Sequence, residues 1–370
     1  MKYYIIAGEA SGDLHAANLM RGLYAQDPQC EVRFWGGAAM LAAGGTQVVD
    51  YRETAVMGMV EVLAKAGKIL RRMAFCKRDI LAWKPDAVIL VDYPGFNLRI
   101  ARFARKHGLK VLWYIAPKVW AHKAWRVKNL RRDVDALYSI FPFELEWFRE
   151  RGLEPRYFGN PLVDTIAEAQ FSPVGTGASI ALLAGSRAFE LKFLMPRFAA
   201  LERLLDADPR MAGYRLVVAC APSLDVEAYR KYLPSGSRIE LVAGRTYDVL
   251  RQADAAVISS GTASLEAALL GTPQLVCYGA SAISFSIARM TVHVKYISLA
   301  NLVLDRLVFR ELLQDQVTPE AIKAELERLL FDSGCRAQLA ADYEELKRRL
   351  GAPGAAGRIA KDMYEETARL

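Results

Sequence analysis

The stretch Ser259 to Tyr278, SSGTASLEAALLGTPQLVCY, concentrates the residue types that hold a phosphate. An apolar run, Ala255 to Ile258, ends in Ser259, Ser260 and Gly261, and a helical pattern then starts near Thr262 and runs to Gly271 and Pro273. Such a turn offers backbone N–H groups and hydroxyls at a helix N-terminus, where the macrodipole and the unpaired donors favour an anion. Glu266, one turn further in, is placed to accept hydrogen bonds from ribose hydroxyls. The same residues also fit a purely structural role, in which Ser260 or Thr262 caps the helix and Glu266 is solvated. A second candidate, Asp92, follows the apolar run Asp86 to Val91 and opens the turn DYPGFN. A carboxylate at the C-terminal end of a central parallel strand sits where open α/β sheets bind ligands, which makes Asp92 the leading candidate for a catalytic base. Helix N-capping by Asn97 or by Asp92 itself fits this turn equally well.

The elements that must position these residues alternate regularly. Lys2 to Ala7 reads as a strand, followed by GEASGD and an amphipathic helix from Asp13 to about Ala25. That turn resembles the opening of a Rossmann-type unit but is not G-x-G-x-x-G, since its glycines are Gly8 and Gly12 only, so a dinucleotide site is not expected. Strands follow at Val32 to Trp35, near Gln47 to Asp50, at Asp86 to Val91, Lys110 to Ile115, Ala136 to Ile140 and Arg156 to Phe158. A Pro/Gly-rich stretch, Phe171 to Gly177, reads as the domain boundary. Beyond it a new series opens with Ile180 to Leu183 and the turn Ala184-Gly185-Ser186-Arg187, with strands near Arg215 to Ala219, Ile239 to Val242, Ala255 to Ile258 and Gln274 to Cys277. The chain from Thr318 onward reads as helical. The expected domains are 1–171, 172–345 and a helical tail 346–370, two successive α/β units facing one another with ligand in the cleft between them.

Composition bounds the function classes. An apolar content of 53% with 24% charged residues is that of a folded protein. Five cysteines with no close pair signal neither a disulfide framework nor a zinc site, which suits a reducing compartment. Neither a signal peptide nor a membrane-spanning apolar stretch of about 18 residues is read, so a cytoplasmic protein is expected. Asp133-Val134-Asp135 has the D-x-D form of metal-dependent glycosyltransferases but runs into a buried strand and reads as incidental, so no metal and no cofactor are expected. Residues 1–172 carry 25 Lys/Arg against 18 Asp/Glu, whereas 173–370 carry 24 against 23. Between Lys65 and Arg132 there are 18 basic and 3 acidic residues, a field that attracts nucleic acid, an anionic bilayer or a phosphorylated lipid. Within the helical stretch Val56 to Trp83, Val60, Leu63, Ile69, Leu70, Met73 and Phe75 interleave with Lys65, Lys68, Arg71, Arg72, Lys77 and Arg78. That pattern suits an interfacial membrane helix and equally one that covers its own core.

Nine segments in order resemble the lipid-A-disaccharide synthase family of inverting glycosyltransferases: GEASGDLHAANL at 8–19, VMGMVEVL at 56–63, VDYPGFN at 91–97, YIAPKVWAHKAWRVK at 114–128, FPFELEWF at 141–148, GNPLVD at 159–164, LAGSR at 183–187, SSGTASLEAALLGTPQLVCY at 259–278 and YISLANLVLDRLVFRELLQ at 296–314. The chain departs from the family pattern at Gly95, where a second Asp is often found, at Ala184 in place of a Pro, between Trp35 and Met40, and at His122-Lys123.

The resemblance implies a two-Rossmann (GT-B) α/β fold, with C-terminal helices packing back on the first domain. The implied reaction moves 2,3-diacylglucosamine from its UDP derivative to the 6-hydroxyl of 2,3-diacylglucosamine 1-phosphate and releases UDP with inversion. Asp92 is the expected base, with Glu9 and His15 next in line. Arg187, Ser260, Gly261 and Thr262 are expected to meet the diphosphate and Glu266 the ribose. By resemblance Asn301 helps hold the nucleotide sugar, while Glu9, Ser11, Gly12 and His15 belong to the acceptor side. Lys68, Arg71, Arg72 and Lys77 then face an anionic membrane, since both substrates are acylated, and the expected location is the inner face of the inner membrane. A homo-oligomer is permitted. The rival readings are a UDP-N-acetylglucosamine 2-epimerase, an undecaprenyl-linked glucosaminyltransferase, and a non-catalytic nucleotide- or polyanion-binding protein using Trp113, Trp120 and Trp125 among its cations. No nucleic-acid motif is found, so nucleic acid is not an expected partner.

Overall fold

Strands that read as continuous apolar runs, with no alternation, belong to parallel sheets covered on both faces, and both sheets of this protein are of that kind. The computed structural model describes residues 1–53, 66–121, 123–279 and 295–369. By internal packing it divides into two units, Met1–Asp164 with Leu350–Leu370, and Thr165–Arg349.

In the first unit the strands are β1 (Lys2–Ala7), β2 (Glu31–Gly36), β3 (Thr46–Asp50), β4 (Ala87–Val91), β5 (Lys110–Tyr114), β6 (Ala136–Ser139) and β7 (Arg156–Tyr157), in the order β3-β2-β1-β4-β5-β6-β7. The order reverses between β1 and β4, whose register pairs Ala7 with Val91, so Gly8 and Asp92 leave the sheet side by side. The helices are α1 (Ala10–Gln26), α2 (Ala38–Ala43), α3 (Ala66–Trp83), α4 (Pro94–Lys106), α5 (Val127–Asp133), α6 (Phe143–Arg149) and α7 (Pro161–Ala167). Val88 and Leu90 of β4 pack with Tyr4, Ile6, Val111, Trp113, Ile80 and Phe96 in one core.

The second unit holds β8 (Ser179–Leu183), β9 (Arg215–Cys220), β10 (Glu240–Ala243), β11 (Ala255–Ser259), β12 (Gln274–Tyr278) and β13 (Glu311–Leu313), in the order β10-β9-β8-β11-β12-β13. Its helices are α8 (Ala188–Asp206), α9 (Val226–Arg230), α10 (Thr246–Gln252), α11 (Thr262–Leu270), α12 (Leu299–Leu304), α13 (Pro319–Phe331) and α14 (Ser333–Leu350). Here the reversal lies between β8 and β11, which pair Leu183 with Ile258.

The last helix, α15 (Ala355–Ala368), belongs to the first unit and lies against α1. The two helices approach so closely that a Cβ on Gly22 would stand 2.7 Å from that of Ala360. Asp164 caps α15 by accepting from the N–H groups of Gly354 (2.7 Å), Ala355 (3.1 Å) and Ala356 (2.9 Å). Arg156 pairs with Asp362 at 2.6 Å and Glu366 at 2.8 Å, and Lys110 reaches Glu366 at 3.2 Å.

Two features differ from the sequence reading. The Pro/Gly-rich stretch 171–177 lies inside the second unit, and the division falls earlier, at Asp164/Thr165 within α7. Its composition suggests a free linker, yet the Ser172 N–H donates to Asp248 (2.8 Å), the Val174 N–H to Gln252 (3.0 Å), and Arg245 bonds the carbonyls of Ser172 and Pro173. Along α3 the expected apolar stripe splits, because Met73, Cys76 and Ile80 face the core while Leu70 is 69% and Phe75 40% exposed. Val60, Leu63, Lys65, the segment 56–63 and the Lys68 side chain lie outside the described residues, as does His122.

Candidate functional site

The residues singled out for chemistry fall at the two places where strand order reverses, one in each unit, which is where sheets of this kind open a crevice at their carboxyl edge.

In the first unit Asp92 and Tyr93 leave β4 with φ of 42° and 48°, two consecutive left-handed residues without glycine. Such backbone costs of order 1–3 kcal/mol per residue and persists only where its surroundings enforce it. Two neighbours do so. A Cβ on Gly8, at the end of β1, would stand 2.4 Å from the Tyr93 ring, so only glycine leaves room for that ring. The amide of Asn97, fully buried, donates to the carbonyl oxygens of Asp92 (2.8 Å), Val91 (3.3 Å) and Ile6 (3.4 Å), tying the ends of β4 and β1 together. Asn97 therefore clamps the turn instead of capping α4, whose N-cap is Tyr93 with no side-chain bond, and Asp92 does not cap it either. Burial, with a lesser push from the like charge of Glu9, raises the Asp92 carboxyl to about 6, and Lys118 works against that rise.

Of the acceptor-side residues, Glu9 and Ser11 are exposed beside this turn. Gly12 is buried, but a Cβ there would make only ordinary contacts at 3.6 Å to Ala7 and Val91. His15 is held neutral, its pKa pushed down to about 4 by burial against a weaker opposing effect of Asp164. Its Nδ1 is buried without a hydrogen-bond partner among the described residues.

Two residues to which the sequence reading gave no role complete this edge. Lys118, exposed after β5, acts electrostatically on both Asp92 and Glu144. Glu144, on α6, is 1% exposed and accepts from the Trp120 indole at 2.8 Å and from the Ser139 hydroxyl. Burial lifts its carboxyl to about 7 despite those bonds. The signal available in sequence is an acid inside the apolar run FPFELEWF just after a strand. Asp133 and Asp135, by contrast, are spent on structure. Asp133 pairs with Arg132 at 2.6 Å, and Asp135 accepts from the Val111 N–H at 2.8 Å and from Arg105.

In the second unit, β8 ends in a turn in which Gly185 has φ 101°. Glu190 folds back over it, and its carboxylate accepts from the N–H groups of Ser186 (2.7 Å) and Arg187 (3.1 Å) and from the Arg187 guanidinium (3.3 Å). The Arg187 side chain is otherwise exposed. β11 ends in Ser259 and passes through Ser260 to Gly261, the N-cap of α11, where no side chain among the described residues caps the helix. The hydroxyls of Ser260 and Thr262 are therefore not spent on capping. Gly261 and Thr262 are exposed. Glu266 follows one turn later, raised to about 6 by burial, with the Tyr247 hydroxyl donating to it at 3.4 Å.

Asn301, expected to help hold the nucleotide sugar, has its side chain engaged within its own unit. Its amide is buried and fully engaged, donating to Phe309 O (3.1 Å) and Glu311 (2.9 Å) and accepting from the Val308 N–H (2.9 Å). Glu311 also accepts from Ser298 N–H and Oγ (2.9 and 2.6 Å), while the Ser260 Oγ lies 3.5 Å from the Ile297 carbonyl. Asn301 thus braces the segment that lies against the Ser260 turn.

The family model for lipid-A-disaccharide synthetase matches residues 3–356. Lipid-A-disaccharide synthase of Myxococcus xanthus (strain DK1622) is 38% identical over 370 residues, covering 98% of this chain and 96% of that protein. Its counterpart in Geobacter metallireducens (strain ATCC 53774 / DSM 7210 / GS-15) is 36% identical over 370 residues, with the same 98% and 96% coverage. Among solved structures, the chain is similar to MnaA of S. aureus with UDP, at a TM-score of 0.71 and 15% identity over 100% of this chain and 97% of that one. It is also similar to UDP-GlcNAc 2-epimerase of Neisseria meningitidis bound to UDP-GlcNAc, at 0.71 and 11% over 99% and 100%. At these identities the structural likeness speaks for the fold alone, two Rossmann-like units of GT-B type. With a family match over nearly its whole length and relatives of that name at more than a third identity, the chain belongs to the lipid-A-disaccharide synthase family of glycosyltransferases.

Proposed function

We propose that this glycosyltransferase moves 2,3-diacylglucosamine from UDP-2,3-diacylglucosamine to the 6-hydroxyl of 2,3-diacylglucosamine 1-phosphate, with inversion. The observation that carries the mechanism is Asp92, a carboxyl pushed up to about 6 in a strained turn where β1 and β4 part. A sugar hydroxyl is a weak nucleophile near neutral pH, and a base with a pKa just below ambient is both ionised and basic enough to help it. Asp92 takes the hydroxyl proton as the oxygen bonds to the donor's anomeric carbon from the face opposite the phosphate. The bond from that carbon to the phosphate oxygen breaks, and UDP leaves with the electron pair.

The leaving diphosphate calls for a cation and amide donors. Arg187, whose side chain is 68% exposed, supplies the first, and the turn Ser260-Gly261-Thr262, where no described side chain caps α11, supplies the second. Glu266 accepts from the ribose, Asn301 holds the segment next to Ser260, and Glu9, Ser11, Gly12 and His15 form the acceptor side of the β1–β4 edge.

Both substrates are acylated, so the enzyme works at an anionic membrane surface, on the cytoplasmic side. Leu70 and Phe75 stand exposed on α3, on a helix that also carries Arg71, Arg72 and Lys77, which supports that attachment. Among the described residues no helix is long and apolar enough to cross a membrane.

The test is incubation of the purified protein with both substrates, which should give UDP and disaccharide 1-phosphate in equal amounts. UDP without disaccharide, or epimerisation of unacylated UDP-N-acetylglucosamine, would overturn the assignment.

A further inference from the structure

Arg126 closes the single helical turn Ala124–Arg126 that follows the tryptophan loop and leads into α5. It is half-buried, and its Nε is buried with no hydrogen-bond partner among the described residues. The Trp125 ring centroid lies 5.7 Å from its Cζ. Burial, and after it the like charge of Arg99, hold the Arg126 pKa below the ordinary arginine value. Arg99 stands on α4, which packs beside α5, and its guanidinium reaches back one turn to donate to the Gly95 carbonyl at 3.2 Å. Gly95, the second residue of α4, brings no carboxylate, and the position of a Cβ there has no described atom within 4 Å. The two guanidiniums thus stand on elements packed side by side, that of Arg99 beside an open position at the first turn of the helix that Asp92 introduces.

A half-buried cation in the field of a like charge is costly unless an anion offsets it. Paired guanidinium forks match the oxygens of a phosphate, which is a dianion for much of the time near neutral pH. We propose that Arg126 and Arg99 form the site that binds the anomeric phosphate monoester of the acceptor, holding one end of the sugar while Asp92 works at its 6-hydroxyl. This rests on the acceptor proposed above. It gives the enzyme a way to tell a phosphorylated monosaccharide from its 1-hydroxy analogue.

The experiment compares kcat/KM for 2,3-diacylglucosamine 1-phosphate and for 2,3-diacylglucosamine in the wild type, Arg126→Gln, Arg99→Gln and Arg126→Lys, with vesicles of phosphatidylglycerol as a separate binding arm. In Arg126→Gln the preference for the phosphorylated acceptor should fall about 10- to 100-fold through its KM, with a smaller fall in Arg99→Gln and partial rescue in Arg126→Lys. An equal loss on both acceptors, as a structural role would give, or an unchanged preference, overturns the site. Weaker vesicle binding with unchanged acceptor preference also overturns it, by assigning the pair to bilayer headgroups. A wild type that uses neither acceptor overturns the reaction itself, and this site with it.

Discussion

At the scale of single residues, the role proposed for Asp92 and the stability of the fold make opposing demands on its carboxyl. Its folded pKa of about 6 lies above the ordinary value of 3.8, so the folded state holds the proton more tightly. The stability from that proton is fully present below 3.8 and is lost as pH rises through about 6. At pH 7.5 the wild type therefore keeps an ionised, mostly buried carboxylate at a cost on the order of 1–3 kcal/mol. Asp92→Asn should lower kcat by roughly 10²- to 10⁴-fold while leaving the Tm at pH 7.5 unchanged or higher, since asparagine also tolerates left-handed backbone. In the wild type, kcat/KM should fall on the acid side of about pH 6 as the base takes up its proton. A variant that keeps its activity removes Asp92 from the mechanism. Glu144 offers a parallel test without catalysis. In its protonated form the carboxyl O–H donates to Ser139, freeing the Ser139 hydroxyl for the Phe141 carbonyl at 3.0 Å. Glu144→Gln mimics that form, so it should raise the Tm relative to wild type at pH 8.5 and not at pH 5.5, because the glutamate must ionise above about 7. Asp92 was legible in sequence because it ends an apolar run. Glu144 was not, since its meaning depends on Trp120 and Ser139, brought to it only by the fold.

At the scale of elements, the β1 and β4 exits form one device: the glycine of one strand end accommodates the ring carried by the next. Gly8→Ala should push Tyr93 and displace Asp92, lowering kcat/KM by about 10²-fold with a modest loss of Tm, whereas Gly12→Ala should be tolerated. Steady-state kinetics with parallel melting curves on the two variants checks the contrast. The strands β1 to β12 were readable to within a residue or two, because buried parallel strands are mostly apolar, whereas the three-residue edge strand β13 was not read. Asp86 shows why their ends were less so: it accepts from the Lys2 N–H at 2.7 Å just before β4 and is not part of it. The bonds that Asn301 makes were not legible, as a network of buried hydrogen bonds has no spacing signature.

At the scale of the whole molecule, the excess of positive charge lies in the first half of the chain, where membrane attachment is proposed. Reversing Arg71, Arg72 and Lys77 together should weaken binding to anionic vesicles by about 10²-fold, less at high salt, given roughly 1 kcal/mol per cation near such a surface. Unchanged sedimentation with vesicles would sink the attachment. The clustering of cations was visible in composition, but the division of the chain was not, because a Pro/Gly-rich stretch resembles a linker even where Asp248, Gln252 and Arg245 pin it down. One consequence concerns synthesis. The first unit is closed by residues 350–370, which are translated only after the whole of the second. During elongation α1 has no α15 to cover it, and Asp164, Arg156 and Lys110 wait without their partners. The nascent first unit thus stays unfinished until that segment emerges from the ribosome, with the face of α1 that α15 would cover left bare in the meantime.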